Sequence, residues 1–116
     1  MYIVDKDSVP RIEVCMQGAS GVIKQLAVGT AQGAPHFSFR VFSMQPGGYT
    51  PYHEHDSEHV NYIIEGQGAL VDGEGREHNL KAGDFALVLP REKHQYKNKS
   101  EDGTFVMICA VPAEYE

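Results

Sequence analysis

Short apolar or alternating runs, separated by turn dipeptides, recur from one end of the chain to the other. No window sustains a 3.6-residue period between helix caps, so the pattern predicts an all-β protein. Candidate strands are Ile12–Met16, Val22–Val28, Phe37–Met44, His53–His55, Val60–Ile64, Ala69–Val71, Phe85–Leu89, His94–Tyr96 and Phe105–Val111. Pro46-Gly47-Gly48, Glu65-Gly66-Gln67-Gly68, Lys81-Ala82-Gly83-Asp84 and Glu101-Asp102-Gly103 tolerate positive φ or set tight turns. Asp72-Gly73, between Ala69–Val71 and Glu77–Leu80, reads as a hairpin tip. Many short strands at close spacing fit a sandwich or a small barrel such as a jelly roll, and the pattern alone does not choose between them.

Strand parity adds a constraint. Even steps from His53 reach His55 and, with the chain extended, His59, Asn61 and Ile63, while Val60, Tyr62 and Ile64 fall on the opposite face. That opposite face is apolar too, so it requires cover from a second layer, the N-terminal segment or a partner chain, and a homodimer is the expectation. In the last strand Phe105, Met107, Cys109 and Val111 share a face, which as a barrel interior brings Met107 and Cys109 towards the histidines.

Composition narrows the class. A chain of 116 residues is long enough for one domain with a modest core, taken as 1–116, and 41% hydrophobic with 22% charged residues is an ordinary globular balance. The net charge of −6 comes with no basic cluster beyond the pair Lys97 and Lys99, which excludes nucleic acid as an expected partner. Met1 to Pro10 carries Asp5, Lys6 and Asp7 and lacks the regions of a signal peptide. No stretch approaches the ~20 apolar residues of a membrane span, and the expected location is the cytoplasm. Cys15 and Cys109 are too few for a disulfide framework; both are expected to be reduced, small and buried.

The central observation is a cluster of four of the six histidines, His53, His55 and His59, then His94 after a Gly-Asp-apolar-Pro run. A metal needs lone-pair donors converging at about 2.0–2.3 Å, and His-x-His on a strand delivers two imidazoles to one face. His59 keeps their parity, and a fourth donor arrives from a sequence-remote strand. His36, after Pro35, and His78, in the charged arm Glu74 to Asn79, read instead as solvated side chains.

These residues resemble a family pattern. Gly47-x5-His53-x-His55-x3-His59-x6-Gly66 is similar to the first cupin motif, G-x5-H-x-H-x(3,4)-E-x6-G, with His59 where the motif has its acid and Glu58 one residue early and of the wrong parity. Gly83 to Asn98 resembles the second, G-x5-P-x-G-x2-H-x3-N, with Gly83, His94 and Asn98 matching, Leu89 at the proline position and Arg91 at the glycine position. The resemblance spans about Phe37 to Val111, with residues 1–36 packing on the barrel or a partner. It implies a double-stranded β-helix (jelly roll), often dimeric, with His53, His55, His59 and His94 around one divalent transition metal. Small cupins with this arrangement, including an all-histidine subgroup that uses manganese or iron, imply oxygen-dependent chemistry on a small molecule.

A neutral imidazole in place of glutamate leaves the metal its full charge, which favours anionic or enolisable ligands in the open positions. Four nitrogen donors suit Mn, Fe, Ni, Cu or Zn rather than Mg or Ca. The leading functional expectation is a dioxygenase-type oxidoreductase. A non-oxidative sugar-acid lyase or isomerase needs a general base, for which Tyr52, Tyr96 or an exposed carboxylate are the candidates, and a third reading is a metal- or ligand-binding module without turnover. Arg40 or Tyr52 are candidates to bind an anionic substrate, Met107 and Cys109 to line the pocket, and Asn61 and Asn98 to orient ligands.

Overall fold

The computed structural model describes residues 1–116. Nine strands form: β1 (Ile12–Glu13), β2 (Ser20–Val28), β3 (Phe37–Tyr49), β4 (His59–Glu65), β5 (Gln67–Val71), β6 (Glu77–Lys81), β7 (Phe85–Val88), β8 (Gln95–Lys97) and β9 (Phe105–Pro112). Three single 3₁₀ turns, Lys6–Ser8, Thr30–Gln32 and Ala113–Tyr115, complete the all-β fold. Strand order is β6-β5-β8-β3-β9-β4-β7, with β2 on the second edge of β3 and β1 beside β2. Every pairing is antiparallel. The sheet curls into the cup of a jelly roll, one wall formed by β2, β3, β9, β4 and β7, the other by β8, β5 and β6.

The long strand β3 belongs to both walls. Phe37–Met44 pairs with β9, and Tyr49 pairs with Lys97 of β8. Between them lies Pro46-Gly47-Gly48, which the sequence pattern reads as a turn but which is a bulge inside the strand, facing a register shift between Ser20 and Val22. Both readings need the same chemistry: Gly47 has φ 75°, and a Cβ on Gly48 would meet the carbonyl oxygens of Gln45 and Gly21 at 2.9 Å. Two other expectations change. Ile12–Met16 contracts to a two-residue strand, and His53–His55 is no strand but a single bridge pairing His53 with His94. The hairpin at Asp72 is present, with its loop running to Arg76.

The alternation of β4 is as the parity predicts. His59, Asn61 and Ile63 are buried while Val60 and Tyr62 are exposed. The inner faces supply a core of Val22, Met44, Ile63, Tyr96, Phe105 and Met107, each contributing about 1.5–3 kcal/mol for the larger aliphatic and aromatic side chains. The N-terminal segment packs outside β2, where Gln25 Nε2 donates to the carbonyls of Lys6 at 2.8 Å and Val9 at 3.0 Å. Farther across the outer face, Val60, Tyr62, Phe85 and Leu87 stay uncovered. No helix is long and apolar enough to cross a membrane.

Candidate metal centre

Backbone pairing brings the two histidine clusters together. Segment Gly48–His55 is zipped to Arg91–Asn98: Asn98 N–H donates to Gly48 at 2.9 Å, Thr50 to Tyr96 at 3.0 Å and Arg91 to His55 at 2.7 Å, while His53 and His94 exchange N–H···O bonds of 3.1 and 3.0 Å. Residues directly opposite in such a pair share a face, so His53 and His94 project together and His55 follows by parity. Arg91, at the place where the motif carries glycine, has φ 64°, which explains why glycine suits that position.

The four imidazoles form a closed ring of neighbours, with centroids 5.2 Å apart for His53–His55, 5.1 Å for His55–His59, 5.0 Å for His59–His94 and 5.3 Å for His94–His53. His53, His55 and His94 have ligating nitrogens within 4.8 Å of one another, a group suited to hold a metal ion. Their orientation is set by hydrogen bonds at Nδ1. His55 donates to the Ser57 carbonyl at 2.8 Å, His94 to the Glu92 carbonyl at 2.7 Å, and His59 to Asn61 Oδ1 at 2.6 Å. Carbonyl oxygens only accept, so each of these rings carries its proton on Nδ1 and its lone pair on Nε2. The Nε2 atoms of His59 and His94 then face each other at 3.3 Å as two acceptors, an arrangement that a shared cation relieves.

Electrostatics favour the same state. Burial lowers the pKa of His53 and His94, and it holds His59 down at about 4 despite the opposing bond to Asn61. Neutral rings with free lone pairs are the metal-binding form. Around them lies a cavity of about 380 Å³, walled by Arg40, Phe42, Asn61, Tyr96, Met107 and Cys109 among others, and no aspartate or glutamate lines it.

Residues 40–111 match the Cupin domain family. The chain belongs to that family. The polyketide cyclase RemF from Streptomyces resistomycificus superposes on this cupin with a TM-score of 0.91 at 27% identity, over 97% of this chain and 80% of that one. A predicted oxalate decarboxylase from Thermotoga maritima shares the fold, with a TM-score of 0.81 at 22% identity over 97% of this chain and 99% of that one. Gentisate 1,2 dioxygenase 1 from Aquipseudomonas alcaligenes is 29% identical over 56 residues, 48% of this chain. The cupin spans 16% of that relative's length.

Not every candidate residue of this cupin reaches the cavity. Arg40, Asn61, Met107 and Cys109 line it, and Asn61 also accepts from Tyr96 Oη at 2.9 Å and donates to Met107 Sδ at 3.3 Å. Tyr52 does not: it has the opposite parity to His53, and its hydroxyl donates to the Asp72 carbonyl at 2.7 Å under the Lys93 ammonium. Asn98 orients no histidine; its Nδ2 donates to the carbonyls of Met44 and Gly103, stapling a loop. Glu58 is exposed, as its parity requires, and so are His36 and His78, the latter donating to Asp72 at 2.8 Å. Cys109 is buried, but Cys15 is exposed, because β1 ends before it and no layer covers it.

Among the walls that the sequence pattern does not assign to the cavity, some come from near the chain's ends. Val14 and Met16 enter from beyond β1, and Tyr115 enters from the last 3₁₀ turn. Tyr115 is held in place by Glu116, whose carboxylate accepts from Thr30 Oγ1 at 2.6 Å, from Thr30 N at 3.0 Å and from Ser38 Oγ. The signal for it is a contact across almost the whole chain, which no local pattern carries.

Proposed function

We propose that this cupin is a mononuclear metal-dependent dioxygenase acting on a small enolisable or aromatic molecule, with His53, His55, His59 and His94 as the ligands of one divalent transition metal among Mn, Fe, Ni, Cu and Zn. The observation that carries the metal is the opposed pair of Nε2 lone pairs on His59 and His94, 3.3 Å apart, with both Nδ1 atoms committed to carbonyl acceptors. The ion, when bound, would supply Lewis acidity and, for Mn, Fe, Ni or Cu, a redox partner for dioxygen, whereas redox-inert Zn would supply the Lewis acidity alone; in a dioxygenase both oxygen atoms enter the substrate, which itself provides the electrons. The chain's own part is to aim the imidazoles through Ser57, Asn61 and Glu92 and to keep bulk water from the apolar side of the cavity.

The choice against a lyase or isomerase rests on the missing base. Tyr52 lies outside the cavity, no carboxylate lines it, and Tyr96 is held protonated by burial, which pushes its pKa upward, while its hydroxyl is engaged by Asn61. The match to a gentisate dioxygenase over 56 residues supports the same choice. In this proposal residues 1–116 act as one domain, and two copies in the cytoplasm join through the uncovered outer face of β4 and β7.

Elemental analysis of the wild type beside His53→Ala and His94→Ala tests the ligands: about one metal per chain in the wild type and a strong loss in both variants is expected. Equal metal content in all three refutes the site. Oxygen uptake by the loaded protein with a panel of enols, diketones and hydroxylated aromatics tests the chemistry, and no uptake with any of them refutes the dioxygenase.

A further inference from the structure

The cavity holds one cation that the histidine chemistry does not use. Arg40 is the only charged side chain, histidines aside, on its wall. Its Nη2 donates to the buried Cys109 Sγ at 2.9 Å, its guanidinium lies 5.1 Å from the Phe42 ring centroid, and its Nε is buried with no partner. Lys6, Arg76, Arg91, Lys81, Lys97 and Lys99 each have a carboxylate within ion-pair distance; Arg40, Arg11, Lys24 and Lys93 have none, and of these four Arg40 alone lines the cavity. Lys24 adds positive charge on β2, its own pKa lowered by burial and then by Arg40. Glu116, the acid that Lys24 senses, is occupied by Ser38 and Thr30.

A guanidinium withdrawn from water without a counter-ion is costly, and a thiol is a weak acceptor for it. We infer that the ligand of this cavity is a planar apolar carboxylic acid, its carboxylate paired with Arg40 and its body lying along Phe42, Val22 and Met107 towards the histidines. The inference rests on the cavity being the substrate site and names the class of that substrate. Arg40 pairs with Cys109 and Cys109 with Asn61, so the guanidinium and the His59 support approach from strands two apart, about 10 Å at ~4.8 Å per strand. A volume of about 380 Å³ lies within the range of about 300–1,000 Å³ for sites that enclose drug-sized molecules, more than a two-carbon acid fills. A guanidinium fork offers a carboxylate two parallel N–H donors, a match that a neutral amide of the same shape does not have.

The test is calorimetric titration of benzoate and of its neutral twin benzamide into the purified protein, with Arg40→Met, Arg40→Lys and His53→Ala alongside. Wild type is expected to prefer benzoate by about tenfold or more, Arg40→Lys to keep part of that preference and Arg40→Met to lose it. Benzoate, and not benzamide, is expected to shift the Arg40 Nε–H resonance. A preference unchanged in both Arg40 variants overturns the inference, as does binding of neither probe by wild type up to about 10 mM. The metal reading fails separately, on equal metal content in wild type and His53→Ala, which leaves this inference standing; His53→Ala is expected to keep the benzoate preference, and its loss there with Arg40 intact places the carboxylate at the histidines and overturns the inference.

Discussion

Asn61 aims the imidazole of His59, the proposed fourth ligand. Its Oδ1 accepts from both His59 Nδ1 and the buried Tyr96 hydroxyl, so Asn61→Ala removes both of these bonds together with the one from Asn61 Nδ2 to Met107 Sδ. Metal affinity, read by competition with a chromophoric chelator, is expected to fall about 10–100-fold, the usual cost of losing a hydrogen bond behind a ligand. Stability is expected to fall by about 1–3 kcal/mol from the unsatisfied hydroxyl, measured by urea unfolding. A carboxyl reports the hairpin. The bond from His78, then that from the Arg76 amide, holds Asp72 at about 2, below its ordinary 3.8. A depressed acid stabilises the fold above its unfolded value, and that contribution fades as pH falls from 3.8 towards 2. In His78→Ala the Asp72 carboxyl is expected to titrate nearer 3.8 by carbon-detected NMR. Parity made the histidines, Asn61, Met107 and Cys109 legible from sequence, and it also excludes Tyr52, since an odd step from His53 points away.

At the scale of elements, period-two alternation identifies β4, β7 and β9 because each has one face on the core and one outward. What alternation does not carry is the role of Pro46-Gly47-Gly48. A turn and a bulge both call for positive φ and a missing Cβ, and only the pairing of β3 with β2, β8 and β9 distinguishes them. The bulge is where β3 passes from one wall to the other, so its geometry sets how the two walls meet over the cavity. Gly48→Ala puts a methyl against backbone carbonyls that have little room to move, and it is expected to cost more than about 2 kcal/mol in urea unfolding. An equally stable variant would show that β3 bends without the bulge. The His53–His94 bridge was likewise hidden: the metal motif names both residues, but their direct backbone pairing is a tertiary fact.

For the whole molecule, the outer face of the β3–β9–β4–β7 wall reads as two apolar rows, Phe39–Ala110–Val60–Leu87 and Val41–Ile108–Tyr62–Phe85. Val41 is covered within the chain, but Phe85 is 74% and Leu87 55% exposed, an arrangement a monomer leaves in water at a cost of about 25 cal/mol per Å². A dimer mass is expected by light scattering, and Phe85→Glu with Leu87→Glu is expected to yield monomers that remain folded by circular dichroism. A monomeric wild type removes the dimer from the reading. The same scale brings out what the His53–His94 bridge does for folding. An ion gripped by both would tie together positions about forty residues apart, acting on the unfolded chain as a covalent cross-link does and removing loop-closure entropy equivalent to about 4 kcal/mol. The protein is therefore expected to melt well below its loaded temperature after chelation, and to regain it on refilling with any ion that satisfies the imidazoles, whether or not that ion supports turnover.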